Sequence, residues 1–124
     1  MAEMEIIYGQ VVSKANNYQV AESGGRRHII KSSALREYEK SFLKQCKIYR
    51  DRNIKRRFKL SITVWESSTR YDLDNSIKTI LDCLQYAKAV SDDKLCVSID
   101  AEKRIDARNP RVEYSIIEYE PELF

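Results

Sequence analysis

The sequence predicts an α+β fold, in which a mixed β-sheet is covered by two α-helices. Apolar residues recur with a period of two over residues 58–64, whereas two other segments show helical spacing. The length of 124 residues suits one two-layer domain. Hydrophobic residues make up 43% and charged residues 33%, which is typical of a globular chain. We therefore interpret residues 1–124 as a single domain.

Short strands are predicted near the N-terminus, separated by turn-forming residues. The first covers residues 5–12, with Ile6, Tyr8 and Val12 on one face. The segments that follow are a polar loop at 13–17, a return strand at 18–20, a turn at Gly24-Gly25 and a third strand at 26–30.

Two helices are predicted from apolar residues at intervals of three and four. The first begins at an N-cap, Ser32 or Ser33, and continues to about Arg52. Its core-facing residues are Leu35, Tyr38, Phe42, Cys46 and Tyr49. The second covers residues 73–87, and its buried stripe consists of Leu73, Ile77, Ile80, Leu81 and Leu84.

Three strands are predicted in the second half of the chain. Residues 58–64 form a half-buried strand before the second helix. After a turn at 91–93, residues 95–99 form the next strand. Because residues 106–110 resemble a turn, we expect residues 112–116 to return beside that strand as a hairpin.

Charge is distributed unevenly along the chain. Between Gly25 and Leu60, 13 cations face three acids, so this segment carries +10 and the remainder −7. Such a division favours a polyanion as the partner of the basic part and cations as the partners of the acidic part.

Three cysteines without CxxC spacing predict reduced thiols rather than a disulfide or zinc site. An acidic N-terminus and the lack of a long apolar run favour a cytoplasmic protein without a membrane partner.

Acidic residues cluster at the start of the second helix. Asp72 and Asp74 lie at its N-terminus, Lys78 follows one turn later, and Asp92 and Asp93 come after the helix. Carboxylates are suitable ligands for Mg²⁺, which can polarise a phosphoryl group and activate water. Lys78 could stabilise developing negative charge. The alternative is structural, with Asp72 as a helix cap and Asp74 paired with Lys78.

The two acidic groups stand about 20 Å apart if the helix is regular, because each residue adds about 1.5 Å. They can share an ion only if the next strand returns toward the helix start, or if a second subunit supplies one group. The spacing of the residues leaves both arrangements open.

The pattern resembles the RusA family of Holliday-junction resolvases. The resemblance depends on Asp72-Leu73-Asp74-Asn75, Lys78, Asp82 and Asp92-Asp93, followed by a strand and Lys103. It implies a RusA-like homodimer that cuts branched DNA with Mg²⁺, or with Mn²⁺ as a substitute, and no small-molecule cofactor. It further implies catalytic roles for Asp72, Asp74, Asp93 and Lys78, a secondary metal role for Asp92, and supporting roles for Asn75 and Asp82.

DNA contacts are expected from the basic segment and from the residues beside the acids. A DNA junction offers several phosphate backbones to cationic side chains. The expected DNA-binding residues are Lys14, Asn16, Asn17, Arg26, Arg27, Lys31, Arg36, Lys40, Lys44, Arg70 and Tyr71. Tyr71 could also stack on an unpaired base.

Two other functions fit parts of the pattern. A non-catalytic protein that binds branched DNA would need the basic segment but not the acids. An enzyme acting on nucleotides could hold a metal–diphosphate with Asp72 and Asp74, although the chain has no glycine-rich phosphate loop. The expected activity is junction resolution in recombination and repair, in a bacterial or phage-infected cell.

Overall fold

The computed structural model describes residues 2–13 and 18–120, with backbone only at Tyr18 and Gln19. The strands are β1 (Glu5–Tyr8), β2 (Tyr18–Ser23), β3 (Arg26–Lys31), β4 (Phe58–Glu66), β5 (Cys96–Ile105) and β6 (Arg111–Glu118). The helices are α1 (Ser33–Gln45) and α2 (Leu73–Tyr86), and a 3₁₀ turn covers Asp93–Leu95. A four-stranded mixed sheet has the order β1-β6-β4-β5, and β2 and β3 form a separate hairpin. The predicted α+β fold is confirmed.

The first strand is shorter than predicted, and the face that it buries is the one opposite Ile6 and Tyr8. Ile7 is fully buried and pairs with Val112 of β6, whereas Tyr8 is exposed and Ile6 only half-buried. Glu5 shares the buried face with Ile7 because its carboxylate accepts backbone hydrogen bonds within the protein. Because the charged Glu5 points inward, the positions of the apolar residues in the sequence did not indicate which face of the strand is buried.

Helix α1 begins as predicted, because the Ser32 hydroxyl accepts a hydrogen bond from the Leu35 backbone N–H at 3.2 Å. The predicted end at Arg52 was wrong. The chain leaves the helix after Gln45, and the carboxylate of Glu5 accepts hydrogen bonds from the next backbone N–H groups, those of residues 47–49. Cys46 and Tyr49 are still buried, but they reach the core from an irregular segment.

Helix α2 ends one residue earlier than predicted, and its buried side is displaced around the helix axis. The residues buried against the core are Ser76, Thr79, Ile80, Cys83 and Leu84. Leu73, Ile77 and Leu81 are only half-buried, so the predicted stripe was partly wrong. Two small polar side chains, those of Ser76 and Thr79, lie on the buried side, and Thr79 donates a hydrogen bond to the Val12 carbonyl at 2.9 Å.

The predicted hairpin between the last two strands was also wrong. Strand β5 pairs in parallel with β4, and β6 pairs with the opposite edge of β4 in antiparallel orientation. The alternating apolar residues of β6 bury themselves between β1 and β4, and β5 is left as an edge strand. Strands β4 and β5 and helix α2 therefore form a parallel crossover unit. In this unit, the start of α2 and the start of β5 lie at opposite ends.

Candidate active site

Asp72 and Asp74 lie at the entrance to α2. Asp72 occupies the N-cap position, but its side chain makes no capping hydrogen bond. Its Oδ2 atom accepts a hydrogen bond from Asn75 Nδ2 at 3.4 Å. Asp74 is exposed in the first helical turn. The carboxylate of Asp72 is thus not used for the structural role that a cap residue ordinarily performs.

Two lysines approach this end of the helix from different elements. Lys78 is exposed one turn beyond Asp74, and no ion pair joins the two within the described part of the chain. Lys103 of β5 donates hydrogen bonds from Nζ to the carbonyl oxygens of Tyr71 at 2.9 Å and Thr69 at 3.3 Å. Lys103 therefore fixes the loop that leads to Asp72.

A third carboxylate, Glu66, lies at the end of β4 and was not recognised as a site residue from the sequence. It is fully buried, and its Oε1 atom accepts a hydrogen bond from the Ser76 hydroxyl at 2.8 Å. Burial raises the pKa of Glu66 more than Ser76 and Lys103 lower it, and the nearby charge of Asp72 raises that pKa further. In a strand, every second residue faces the same side, so Glu66, two residues after Val64, falls on the buried face of β4. Extending the predicted strand by two residues would have found it.

Asp92 and Asp93 lie at the other end of α2. The backbone N–H of Asp93 donates a hydrogen bond to Gln85 Oε1 in the last helical turn at 3.1 Å, and the Asp92 carboxylate accepts one from the Lys94 N–H at 2.9 Å. Since α2 contains 14 residues, the helix is about 21 Å long. Asp72 and Asp93 are therefore not brought together within one protomer.

No cluster of three or more His, Cys, Asp or Glu side chains that could hold a metal ion occurs among residues 2–13 and 18–120 of a single chain. Asp82, half-buried in the second half of α2, does not complete such a cluster. The acidic side chains at the entrance to α2 are hard oxygen ligands of the kind Mg²⁺ prefers. The described residues of one chain thus provide suitable oxygen donors at this position but no cluster of three.

The basic side chains are concentrated on the hairpin and on α1. Arg26 and Arg27 are exposed beside the hairpin turn. On α1, the exposed cations are Arg36, Lys40 and Lys44. Arg27 pairs with Glu22 at 3.2 Å, and Lys31 pairs with Glu39 at 2.9 Å and also donates to the Tyr86 hydroxyl. Three of the cations border a cleft of about 300 Å³, which is lined by Lys31, Arg36, Glu39, Lys40, Leu43 and Tyr86.

Arg70 and Tyr71 form a pair just before the acidic entrance of α2. The Arg70 guanidinium lies 5.1 Å from the centre of the Tyr71 ring and donates a hydrogen bond to its hydroxyl. That hydrogen bond holds the pKa of Tyr71 below its ordinary value. The remaining expected DNA contacts, Lys14, Asn16 and Asn17, lie outside the described residues.

These features together describe an α+β protein with carboxylates at the entrance to α2 and exposed cations on the hairpin and α1. The family model described as Endodeoxyribonuclease RusA matches residues 9–117, which is nearly the whole chain. The chain therefore belongs to the RusA family of endodeoxyribonucleases, as its sequence motif predicted. The general activity of this family is resolution of Holliday junctions. No curated protein matches the chain.

Among the described residues, no helix has both the length and the apolar character that crossing a bilayer requires.

Proposed function

We propose that this protein is an Mg²⁺-dependent endonuclease that resolves four-way DNA junctions by paired phosphodiester cleavage. In this proposal it acts as a homodimer in the cytoplasm, during recombination and repair. The observation that carries the proposal is the family match over residues 9–117, combined with exposed carboxylates at the entrance to α2. Mn²⁺ is expected to substitute for Mg²⁺, because both are bound by carboxylate oxygens.

A second copy of the chain would complete the metal site. Within one protomer, Asp72 and Asp74 are separated from Asp93 by the length of α2. If two α2 helices pack side by side in antiparallel orientation, the N-terminus of each faces the C-terminus of the other. Packed helices have axes about 8–10 Å apart, which is far less than the helix length of about 21 Å. A twofold axis near the middle of α2 would thus create two equivalent composite sites.

The half-buried apolar residues of α2 support this arrangement. Leu73, Ile77 and Leu81 follow one another at intervals of four, so they form a stripe along one side of the helix. Tyr86, on the opposite side, contacts Lys31 near α1, and the stripe therefore faces away from α1. Ile99 of the neighbouring edge strand is 46% exposed and extends the apolar surface. Asp74 and Lys78 border the stripe, so a helix seated on it would lie beside them.

The chain's own side chains then have distinct roles in hydrolysis. Asp72 and Asp74 of one copy, with Asp93 and secondarily Asp92 of the other, would hold the divalent ion. A bound Mg²⁺ would polarise the scissile phosphoryl group and activate water for attack. Lys78 is free of ion pairs within the described chain and would neutralise charge that develops on the phosphate or on the leaving oxygen. Asn75 orients Asp72 through the hydrogen bond between their side chains.

The basic surface would bind the arms of the junction. The cleft beside Tyr86 lies at the same end of α2 as Asp93, because Tyr86 is the last residue of that helix. In the antiparallel dimer, Arg36 and Lys40 of one copy would therefore lie at the same end of the helix pair as Asp72 of the other, on the outer side of α2. Cations so placed would direct a phosphate backbone toward the carboxylates. Lys31 would contribute less than the others, because Glu39 already neutralises its charge.

A cleavage assay on labelled DNA tests the proposal. A four-way junction, a Y-fork and a linear duplex of the same sequence are incubated with the protein, with and without Mg²⁺. We expect symmetric nicks in the junction only when Mg²⁺ is present, and weaker cutting of the other two substrates. Asp74→Asn should keep junction binding and lose cleavage, with the exposed Glu37→Gln as the matched control. Binding of the junction without any Mg²⁺-dependent cleavage would indicate the non-catalytic alternative.

A further inference from the structure

Glu66 is an unusual residue for the end of a core strand. Glu66 continues the buried face of β4 after Phe58, Leu60, Ile62 and Val64. Its exposed fraction is 0%. Its Oε1 atom accepts a hydrogen bond from Ser76, but its Oε2 atom is buried and has no hydrogen-bond partner among the described residues. A buried carboxylate oxygen without a partner is costly unless the group is protonated or a positive group reaches it.

Among the described residues, one cation acts on Glu66, and its hydrogen bonds go to other groups. The ammonium group of Lys103 lowers the pKa of Glu66, yet its hydrogen bonds go to the carbonyl oxygens of Tyr71 and Thr69. Asp72 is linked to Glu66 through Ser76, whose backbone N–H donates to the Asp72 carbonyl at 3.3 Å and whose hydroxyl donates to Glu66 Oε1 at 2.8 Å. Two neighbouring carboxylates, one with an unpaired oxygen, are an arrangement that a divalent cation stabilises.

We infer that Glu66 is an additional carboxylate of the divalent-ion site, contributing its unpaired oxygen to the ion proposed at Asp72. The inference rests on the proposed function, because it requires that Asp72 binds an ion. Glu66 lies beneath the first turn of α2, where its bond to Ser76 also holds that turn against β4. The same residue would thus hold the position of Asp72 and increase the negative charge that the ion meets.

The test measures ion binding without DNA and without turnover. The full-length protein is titrated with Mn²⁺, and free Mn²⁺ is followed by electron paramagnetic resonance; calorimetry with Mg²⁺ provides a second reading. Glu66→Gln keeps an acceptor for Ser76 but removes the charge, and we expect about tenfold or greater loss of Mn²⁺ affinity, as for other residues that support a metal site. Ser76→Ala is the matched control, since it removes the hydrogen bond and leaves the carboxylate.

The variants separate failure of this inference from failure of the proposed function. If Asp72→Asn weakens Mn²⁺ binding but Glu66→Gln binds as the wild type does, Glu66 is not part of the site. An equal loss of affinity in Ser76→Ala and Glu66→Gln would assign Glu66 a purely structural role. If neither Asp72→Asn nor Glu66→Gln affects binding, the proposed metal site itself is refuted. Should Glu66→Gln fail to fold, the double variant Glu66→Met/Ser76→Ala replaces both polar groups and must show the same loss.

Discussion

Replacing Glu5 with glutamine should remove one of the main polar contacts that stabilise the fold. The Glu5 Oε2 atom accepts hydrogen bonds from the backbone N–H groups of Lys47 at 2.8 Å and Ile48 at 2.9 Å. Its Oε1 atom accepts from the Tyr49 N–H at 3.2 Å and the Tyr114 hydroxyl at 3.0 Å. In Glu5→Gln, an NH₂ group faces two of these donors, whichever way the amide is oriented.

Two buried donors left without an acceptor cost about 1–3 kcal/mol each, so we expect the free energy of unfolding to fall by about 3 kcal/mol. For a chain of this size, the melting temperature should then fall by roughly 10 °C. Urea denaturation followed by circular dichroism measures the free energy, with the exposed Glu37→Gln as a control that should stay within about 0.5 kcal/mol of the wild type. A loss below about 1 kcal/mol in Glu5→Gln would refute the reasoning.

The same contact predicts a pH dependence. Burial raises the pKa of Glu5, but hydrogen bonds from the backbone at 47–49 and from Tyr114 outweigh it and hold the folded-state pKa below its ordinary value of 4.5. The stabilisation by Glu5 is therefore complete above the unfolded-state pKa, and it is lost as the pH falls through the folded-state pKa. The stability difference between wild type and Glu5→Gln should shrink below about pH 4.5; a difference that stays constant down to pH 2 would contradict this.

Further predictions concern the capping of α1, the proposed dimer surface and Lys78. Ser32→Ala removes the acceptor for the Leu35 N–H and should cost about 1 kcal/mol in urea denaturation, whereas an unchanged midpoint would contradict the cap. Leu81→Glu places a charge in the proposed interface and should weaken dimerisation about 100-fold or more in analytical ultracentrifugation; dimers of wild-type affinity would exclude this surface. Lys78→Ala should lower kcat by more than tenfold with little change in junction affinity, whereas equal losses in both would indicate a plain phosphate contact.

Local patterns in the sequence predicted much of the fold. Ser32 capped α1, the alternation of residues 58–64 gave β4, and α2 was placed to within one residue of its end. Tertiary contacts decided what the patterns could not. The chain leaves α1 where Cys46 and the residues after it bond the carboxylate of Glu5, which is 41 to 44 positions earlier in the sequence. The helical segment itself contains no sign of such a distant partner. Strand order is likewise non-local, so the neighbours of β5 and β6 could not be derived from the turn between them.

The candidate site shows the same division. The spacing of Asp72, Asp74 and Lys78 predicted their placement on the first turns of α2, since helical geometry is local. Glu66 was missed because a single acid at the end of an apolar strand ordinarily marks the return to solvent. The separation of Asp72 from Asp93 was left open by the sequence, because it depended on the direction of β5. Because β5 pairs in parallel with β4, Asp93 lies at the opposite end of α2 from Asp72 within one chain.

The most direct test of the central claim mixes two inactive variants. Asp74→Asn and Asp93→Asn are refolded together, so that about half of the dimers contain one copy of each. If each site combines Asp74 of one copy with Asp93 of the other, every mixed dimer has one intact site, and Mg²⁺-dependent nicking of a four-way junction should return to about a quarter of the wild-type level. If the mixture is as inactive as either variant alone, although mixed dimers are present, the two copies do not share their carboxylates.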